Sequence, residues 1–239
     1  MNIAIIGYGK MGREIEKICR ARGHNIVCTI DVNEEDKFQS EAFKSADVAI
    51  EFTSPDSALN NYKQAFAANI PVVSGTTGWL NDIDKVKDAC EKDGQTFFYA
   101  SNFSLGVNIL FAVNKYLASI MNDFDDYDVH VVETHHIHKL DAPSGTALTI
   151  ANDILELITR KKQWTLDEQN SAEDLRINAF REGEIPGIHT ITYESEVDSI
   201  TLSHNAKSRK GFALGAVVAA EFAAKHKGFL GMKDLLPFK

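Results

Sequence analysis

Short apolar runs rich in β-branched and aromatic residues alternate with longer stretches of helical period through the N-terminal part of the chain. The alternation predicts strands over 3–6, 26–31, 48–52, 72–74 and 97–99, with helices over 11–21, 56–68 and 81–92 between them. Strands separated by helices in this way build a parallel sheet with helices on both faces. The helix over 56–68 starts behind Ser54-Pro55, a familiar entry signal. A long apolar-periodic helix follows over 105–121. From Tyr127 the order changes: a strand to Glu133, a histidine-rich loop, a helix over 145–160, then strand-like runs near 175–181, 188–194 and 199–203. The chain closes with a helix over 212–225.

This pattern predicts an α/β protein in which a parallel-sheet domain is joined to a second α+β domain with a mostly antiparallel or mixed sheet. Hinges fall near Phe103-Ser104 and Lys210-Gly211. The expected division is 1–103, with 212–239 packing back on it, and 104–211. A length of 239 residues is enough for two domains that each bury a core. The net charge of -9 argues against a nucleic-acid partner, which needs a basic face. No apolar run is long enough to span a bilayer, and Met1-Asn2-Ile3 leads straight into a strand without a basic leader, so no membrane partner and a cytoplasmic location are expected. Cys19, Cys28 and Cys90 are odd in number and form no C-x-x-C pair, which suits small buried hydrophobes rather than disulfides or a thiolate metal site.

Chemistry enters at Gly7-Tyr8-Gly9-Lys10-Met11-Gly12, a G-x-G-x-x-G placed directly after a strand and before a helix. Its first glycine permits a tight turn, its second lets backbone approach a pyrophosphate, and its third lets helix and strand pack closely. The helix N-terminus then faces the phosphates. Asp31 ends the second strand about twenty residues on, where a carboxylate can accept hydrogen bonds from an adenosine ribose. This points to a Rossmann-type domain binding NADH or NADPH. Val32 and Asn33 follow where an arginine could pair with a 2′-phosphate, so the sequence leans toward NADH, while Lys37 keeps both open.

Two further loops fall at carboxyl ends of strands, the edge where open α/β sheets bind ligands: Gly75-Thr76-Thr77-Gly78 and Ala100-Ser101-Asn102-Phe103. Their glycines, hydroxyls and amide suit a nicotinamide carboxamide and ribose, and they read equally as plain turns. Phe52-Thr53-Ser54-Pro55 is either helix capping or a wall of the cofactor groove.

In the second domain, Glu133-Thr134-His135-His136-Ile137-His138-Lys139 runs on to Pro143-Ser144-Gly145-Thr146 and the start of a helix. Adjacent histidines on an extended segment point in opposite directions, and no cysteine stands near, so no metal is expected. His135, His136 and Lys139 read instead as an anion-binding and proton-donating cluster, or as a solvated loop ahead of a capped helix. Ser144 is a good N-cap, and the Gly145 and Thr146 amides suit a carboxylate, so the natural guest is a small carboxylated molecule. His130 reads as a core or interface residue, and Glu133 as a group that orients an imidazole or faces water.

Nearly end to end, these motifs resemble the 4-hydroxy-tetrahydrodipicolinate reductase (dihydrodipicolinate reductase) family. The likeness rests on the glycine turn with Arg13, Glu51-Phe52-Thr53, the two rim loops with Ser104, and the signature from Glu133 to Ala147. Arg181-Glu182-Gly183, Gly187-Ile188-His189-Thr190 and His204 to Arg209 extend it. The resemblance implies NAD(P)H-dependent reduction of a cyclic 4-hydroxy dicarboxylate to tetrahydrodipicolinate with loss of water, in lysine and diaminopimelate biosynthesis. It implies a catalytic acid/base pair of His135 and Lys139, substrate binding by His136, Gly145 and Thr146, and a homotetramer built through second-domain sheets. The implied cofactor shell is Gly7 to Gly12, Asp31, Phe52, Gly75 to Thr77 and Ala100 to Phe103. The sequence departs from the family pattern in a short connection from Asp31 to Ala46 and in a non-basic Val32. An amino-acid dehydrogenase on the same first domain would need to bind an amine, which the cationic loop repels. A non-catalytic nucleotide sensor is disfavoured by the intact His135, His136 and Lys139.

Overall fold

The computed structural model describes residues 1–168, 171–208 and 210–236; Arg209, at the end of the last motif, and the final tail residues lie outside the described residues. In chain order the elements begin β1 (Asn2–Ile6), α1 (Lys10–Ala21), β2 (Asn25–Ile30), α2 (Glu41–Lys44), β3 (Val48–Glu51), α3 (Pro55–Ala67), β4 (Val72–Ser74), α4 (Ile83–Lys92) and β5 (Thr96–Tyr99). They continue through α5 (Leu105–Met121), β6 (Asp128–His135), α6 (Gly145–Leu157), β7 (Gln163–Leu166), β8 (Asp174–Arg181), β9 (Ile188–Glu194) and β10 (Ser199–Asn205). The elements α7 (Lys210–Ala223), β11 (Gly228–Leu230) and α8 (Met232–Leu235) follow. Two compact units result, Met1–Ser104 with Lys210–Lys239, and Leu105–Arg209.

The first unit is a six-stranded parallel sheet in the order β11-β5-β4-β3-β1-β2. Its strands are apolar on both sides because both faces are covered. Ile3, Ile5, Val48 and Ile50 pack under α1 and α7, whereas Ala4, Ile6, Ala49 and Val72 pack against Tyr62, Trp79 and Phe97 on the opposite face. Small residues bring α7 close: Ala213, Ala216, Ala219, Ala220 and Ala223 are all fully buried. Gly215 is the tightest point, since a Cβ there would lie 1.7 Å from the Phe103 carbonyl oxygen. Ser54 and Ser57 form a capping box ahead of α3, with Pro55 in the first turn.

Two features of this unit escape the sequence pattern. The strand β11 pairs in parallel with β5 through only three residues, too few to show a period. The Asp31 to Ala46 connection holds a short 3-10 helix (Glu35–Gln39) and the single-turn α2, which bury Phe38 and Phe43 edge to face at 5.1 Å.

The second unit carries a mixed five-stranded sheet in the order β10-β9-β6-β8-β7, antiparallel from β10 to β6 and parallel from β6 to β7. Val129, Val131, Leu175, Ile177, Ile191 and Tyr193 form its core with Leu110 and Ala118 of α5 and Ile150, Ala151 and Ile154 of α6. The other face alternates out of register with that core and is rich in hydroxyls. Thr190 meets Ser203 at 3.0 Å across the strands, and Thr192 meets Thr201 at 3.5 Å. His130 sits half-buried among them. The helix expected to reach residue 160 stops at Leu157, and β7 follows where polar residues hid the strand.

Because α7 is seated directly on the Phe103 backbone, Gly215→Ala should lower stability by about 1–3 kcal/mol, the usual range for overpacking a close contact. A urea unfolding midpoint equal to that of the wild type would show that this packing is not as tight as described.

Candidate active site

In the first unit the chain changes direction across the sheet between β1 and β3, the position where open α/β sheets take their ligands. Gly7 leaves β1 with φ +91°, and its N–H donates to the Ile30 carbonyl at 2.8 Å. A Cβ on Gly7 would lie 2.0 Å from the Phe52 carbonyl oxygen, and one on Gly12 would lie 2.2 Å from the Gly7 carbonyl oxygen. Gly9, at the N-cap of α1, faces open space instead. Gly7 and Gly12 thus serve turn and packing as the spacing implied, and Gly9 leaves the space before α1 clear.

Two cavities open beside this turn. One of about 450 Å³ is lined by Gly7, Gly9, Asp31, Val32, Glu35 and Ser57 among others. The other, about 470 Å³, is lined by Gly9, Lys10, Met11, Phe52, Gly75, Thr76 and Thr77 with Thr53 and Pro55. Gly75 makes room for the Phe52 ring, whose Cε1 lies 2.1 Å from where a Cβ would stand. Asp31 is exposed, and its Oδ1 accepts from the Val32 N–H at 3.0 Å. Lys37 is held at home by Glu34 at 2.7 Å and by the Thr29 carbonyl at 3.1 Å.

Other expected cofactor residues are placed differently. The Tyr8 hydroxyl donates to Glu16. Ala100 and Phe103 are buried in the core, Ser101 is exposed, and Asn102 Oδ1 accepts from the Ser104 N–H at 2.9 Å. None of these five lines either cavity.

In the second unit, β6 turns Val129, Val131, Glu133 and His135 to the same inward face. The first two join the apolar core, and the last two carry polar groups into its end. Glu133 is fully buried, and both its oxygens accept from the Ser144 N–H at 3.1 Å. His135 Nδ1 lies 3.6 Å and His189 Nε2 3.7 Å from Glu133 Oε2. The two imidazoles meet edge to face at 5.0 Å. His189 Nε2 is also 3.2 Å from Ser144 Oγ, which caps α6 by accepting from the Ala147 N–H at 3.2 Å. Arg181 closes the group, 3.4 Å from Glu133 Oε1, and donates to the Lys139 and Asp141 carbonyls at 3.3 and 2.6 Å. Lys139 Nζ donates to both Asp141 carboxylate oxygens at 2.8 Å. His136 is half-buried with its ring 6.0 Å from that of His138, Gly145 is exposed, and Thr146 lies in the first turn of α6. Of the predicted cluster, His135 and the α6 N-terminus meet at one buried carboxylate, while the Lys139 ammonium is held by Asp141.

The family model for the N-terminus of dihydrodipicolinate reductase matches residues 1–103, and that for its C-terminus matches 106–236. A 4-hydroxy-tetrahydrodipicolinate reductase from Christiangramia forsetii is 50% identical over 236 residues, covering 99% of this chain and 98% of that protein. The chain belongs to the dihydrodipicolinate reductase family. Another reductase of that name, from Methanopyrus kandleri, is 39% identical over 199 residues, covering 81% of this chain and 72% of that protein. Among solved structures, a dipicolinate-bound dihydrodipicolinate reductase from Paenisporosarcina sp. TG-14 shares the fold, with a TM-score of 0.81 over 99% of both chains at 22% identity.

Sequence reasoning passed over Arg181 and His189 of this family member as site residues. Strand alternation could have found His189, which shares the inward face of β9 with Ile191 and Tyr193. Glu133, His135 and His189 each bring one potential ligand atom within 4.8 Å of the others. A cation there would be opposed by the Arg181 guanidinium and the Ser144 N–H, which already meet the carboxylate. The donor set is better suited to orienting imidazoles than to holding a metal.

Burial pushes the Glu133 carboxyl up, but hydrogen bonding from His189 and Ser144 and the charge of His135 outweigh it and hold it at about 2. Burial lowers the His135 imidazole most, Glu133 opposes it, and His189, Lys139 and Arg181 add to the lowering, which together hold it at about 4. At neutral pH the ring is thus uncharged. Both shifts make acid destabilising. Between pH 6.5 and about 4 the unfolded chain binds a proton that folded His135 refuses, and between pH 4.5 and about 2 the same holds for Glu133. A histidine NMR titration, assigned with His135→Gln, should find this ring titrating at about 4 in the ligand-free protein and higher once a dicarboxylate is added. A midpoint at the ordinary imidazole value without ligand would refute the account.

Proposed function

We propose that this protein is a 4-hydroxy-tetrahydrodipicolinate reductase, converting 4-hydroxy-tetrahydrodipicolinate to tetrahydrodipicolinate with loss of water in lysine and diaminopimelate biosynthesis. The observation that carries it is the gathering of His135, Arg181 and the α6 N-terminus around buried Glu133, with Lys139 on the loop that Arg181 holds, in a chain half-identical to a reductase of that name. Two carboxylates on a ring call for positive charge and amide donors. Lys139, His136, Gly145 and Thr146 supply them. Binding such a ring displaces Lys139 from Asp141 and brings negative charge beside His135, which raises its proton affinity. His135 and Lys139 then hold the proton that must reach the carbon next to the one receiving hydride.

A nicotinamide nucleotide supplies the hydride when bound. The Gly7 to Gly12 turn, the Gly75 to Thr77 loop, Phe52 and Asp31 would hold it, and the two cavities beside that turn fit such a molecule. Tyr8 and Ala100 through Phe103 keep the cofactor-binding role that the family resemblance implies, and the Phe103 ring backs that of Phe52 at 5.7 Å. NADH is preferred over NADPH, because Asp31 and Glu35 stand on one cavity wall while Lys37 is engaged by Glu34. Among the described residues no helix is long and apolar enough to cross a membrane. A cytoplasmic setting agrees with the free, buried Cys19, Cys28 and Cys90. The hydroxyl-rich face of the second sheet suits pairing between copies in a homotetramer.

Purified protein should oxidise NADH faster than NADPH, and only while the cyclic dicarboxylate is being generated in the assay. Lys139→Ala should lower kcat by about 10²-fold or more, the usual contribution of a positioned proton donor, and leave NADH affinity unchanged. Normal turnover in that variant would remove Lys139 from the mechanism. Light scattering should return a mass matching four chains of 26.5 kDa, and a monomer mass would discard the tetramer.

A further inference from the structure

Glu51, the last residue of β3, is fully buried. A buried carboxylate is costly unless its lone pairs are met. Here hydroxyls meet them: Ser74 Oγ donates to Oε2 at 2.7 Å, Thr76 Oγ1 donates to Oε1 at 2.9 Å, and Thr53 Oγ1 also donates to Oε1.

A carboxylate only accepts, so it fixes the direction of the hydrogen bonds behind it. With the Ser74 proton committed to Glu51, the Tyr62 hydroxyl donates to Ser74 Oγ at 2.7 Å. With the Thr76 proton committed, Thr76 Oγ1 accepts from the Thr53 N–H at 2.8 Å. With the Thr53 proton committed, Thr53 Oγ1 accepts from Ser57 Oγ at 3.0 Å and Asn61 Nδ2 at 3.2 Å. Through Thr53 and Thr76 this network ties together two loops, one leaving β3 at Phe52-Thr53 and the other leaving β4 at Gly75-Thr76, with Ser74 of β4 and Ser57, Asn61 and Tyr62 of α3 behind them. Both loops are walls of the 470 Å³ cavity.

We infer that Glu51 is a positioning residue of the cofactor site, locking the loops after β3 and β4 at the spacing that the nucleotide requires. This rests on the reading that the first unit binds a nicotinamide nucleotide. Glu51 touches no bound molecule in this account; it acts through Thr53 and Thr76.

The test is Glu51→Gln in the full-length protein, with NADH affinity read by fluorescence and KM and kcat by the coupled assay. Glutamine keeps the volume but turns one acceptor into a donor, so at least one hydroxyl must rotate away. Kd and KM for NADH should rise about tenfold, the scale of one lost charge-assisted hydrogen bond, with a much smaller change in kcat at saturating nucleotide. Affinity for dipicolinate, a probe of the second unit, should stay at the wild-type value. Lower thermal stability with unchanged Kd and KM for NADH would make Glu51 purely structural and overturn the inference. Should the variant not fold, Ser74→Ala gives the same reading: a weaker rise in KM for NADH supports the inference, and no rise overturns it. Wild-type protein that binds neither NADH nor NADPH would instead overturn the parent reading of the first unit.

Discussion

The backbone carbonyl of Phe52 occupies the place where any side chain on residue 7 would stand. That close approach lets the turn after β1 lie against the end of β3, and the two cavities open beside it. Gly12 then seats α1 against the same turn, and Gly75 lets the Phe52 ring lie flat on the next loop. Each contact removes volume from one chain segment so that another can approach. Gly9, which lines both cavities, puts no side chain into them.

The second unit solves a different problem. Its inward strand faces are apolar at one end and polar at the other, so the sheet that builds the core also delivers Glu133, His135 and His189 to its edge. A buried carboxylate among imidazoles is tolerable because Ser144 and Arg181 meet its charge. In meeting it, Ser144 and Arg181 fix the start of α6 and the loop that carries Lys139. Stability and the geometry of the site therefore depend on the same few bonds. Glu51 repeats this logic in the first unit with hydroxyls in place of cations.

Much of this was legible in the sequence. Apolar runs between helical periods foretold the parallel sheet, because strands covered on both faces cannot afford polar positions. The glycine spacing foretold the first turn, because only glycine tolerates both its backbone angle and its neighbour. The histidine loop read as an anion-binding cluster or a solvated loop, and composition did not separate the two; the structure brings His135 beside Glu133 and His189. Short elements such as β11 and β7 were not legible, since three or four residues show no period and owe their form to the strand they pair with.

What the sequence could not decide was how polar groups from distant segments would meet. Glu133 read as a residue facing either an imidazole or water, and only folding brought Arg181 and His189 to it. Lys37 read as free to reach a phosphate, and only folding turned it to Glu34. Local pattern determines which residues are buried, because burial follows the period of each element. Partnership among buried charges is determined by strand register and helix placement, which arise when the whole chain packs.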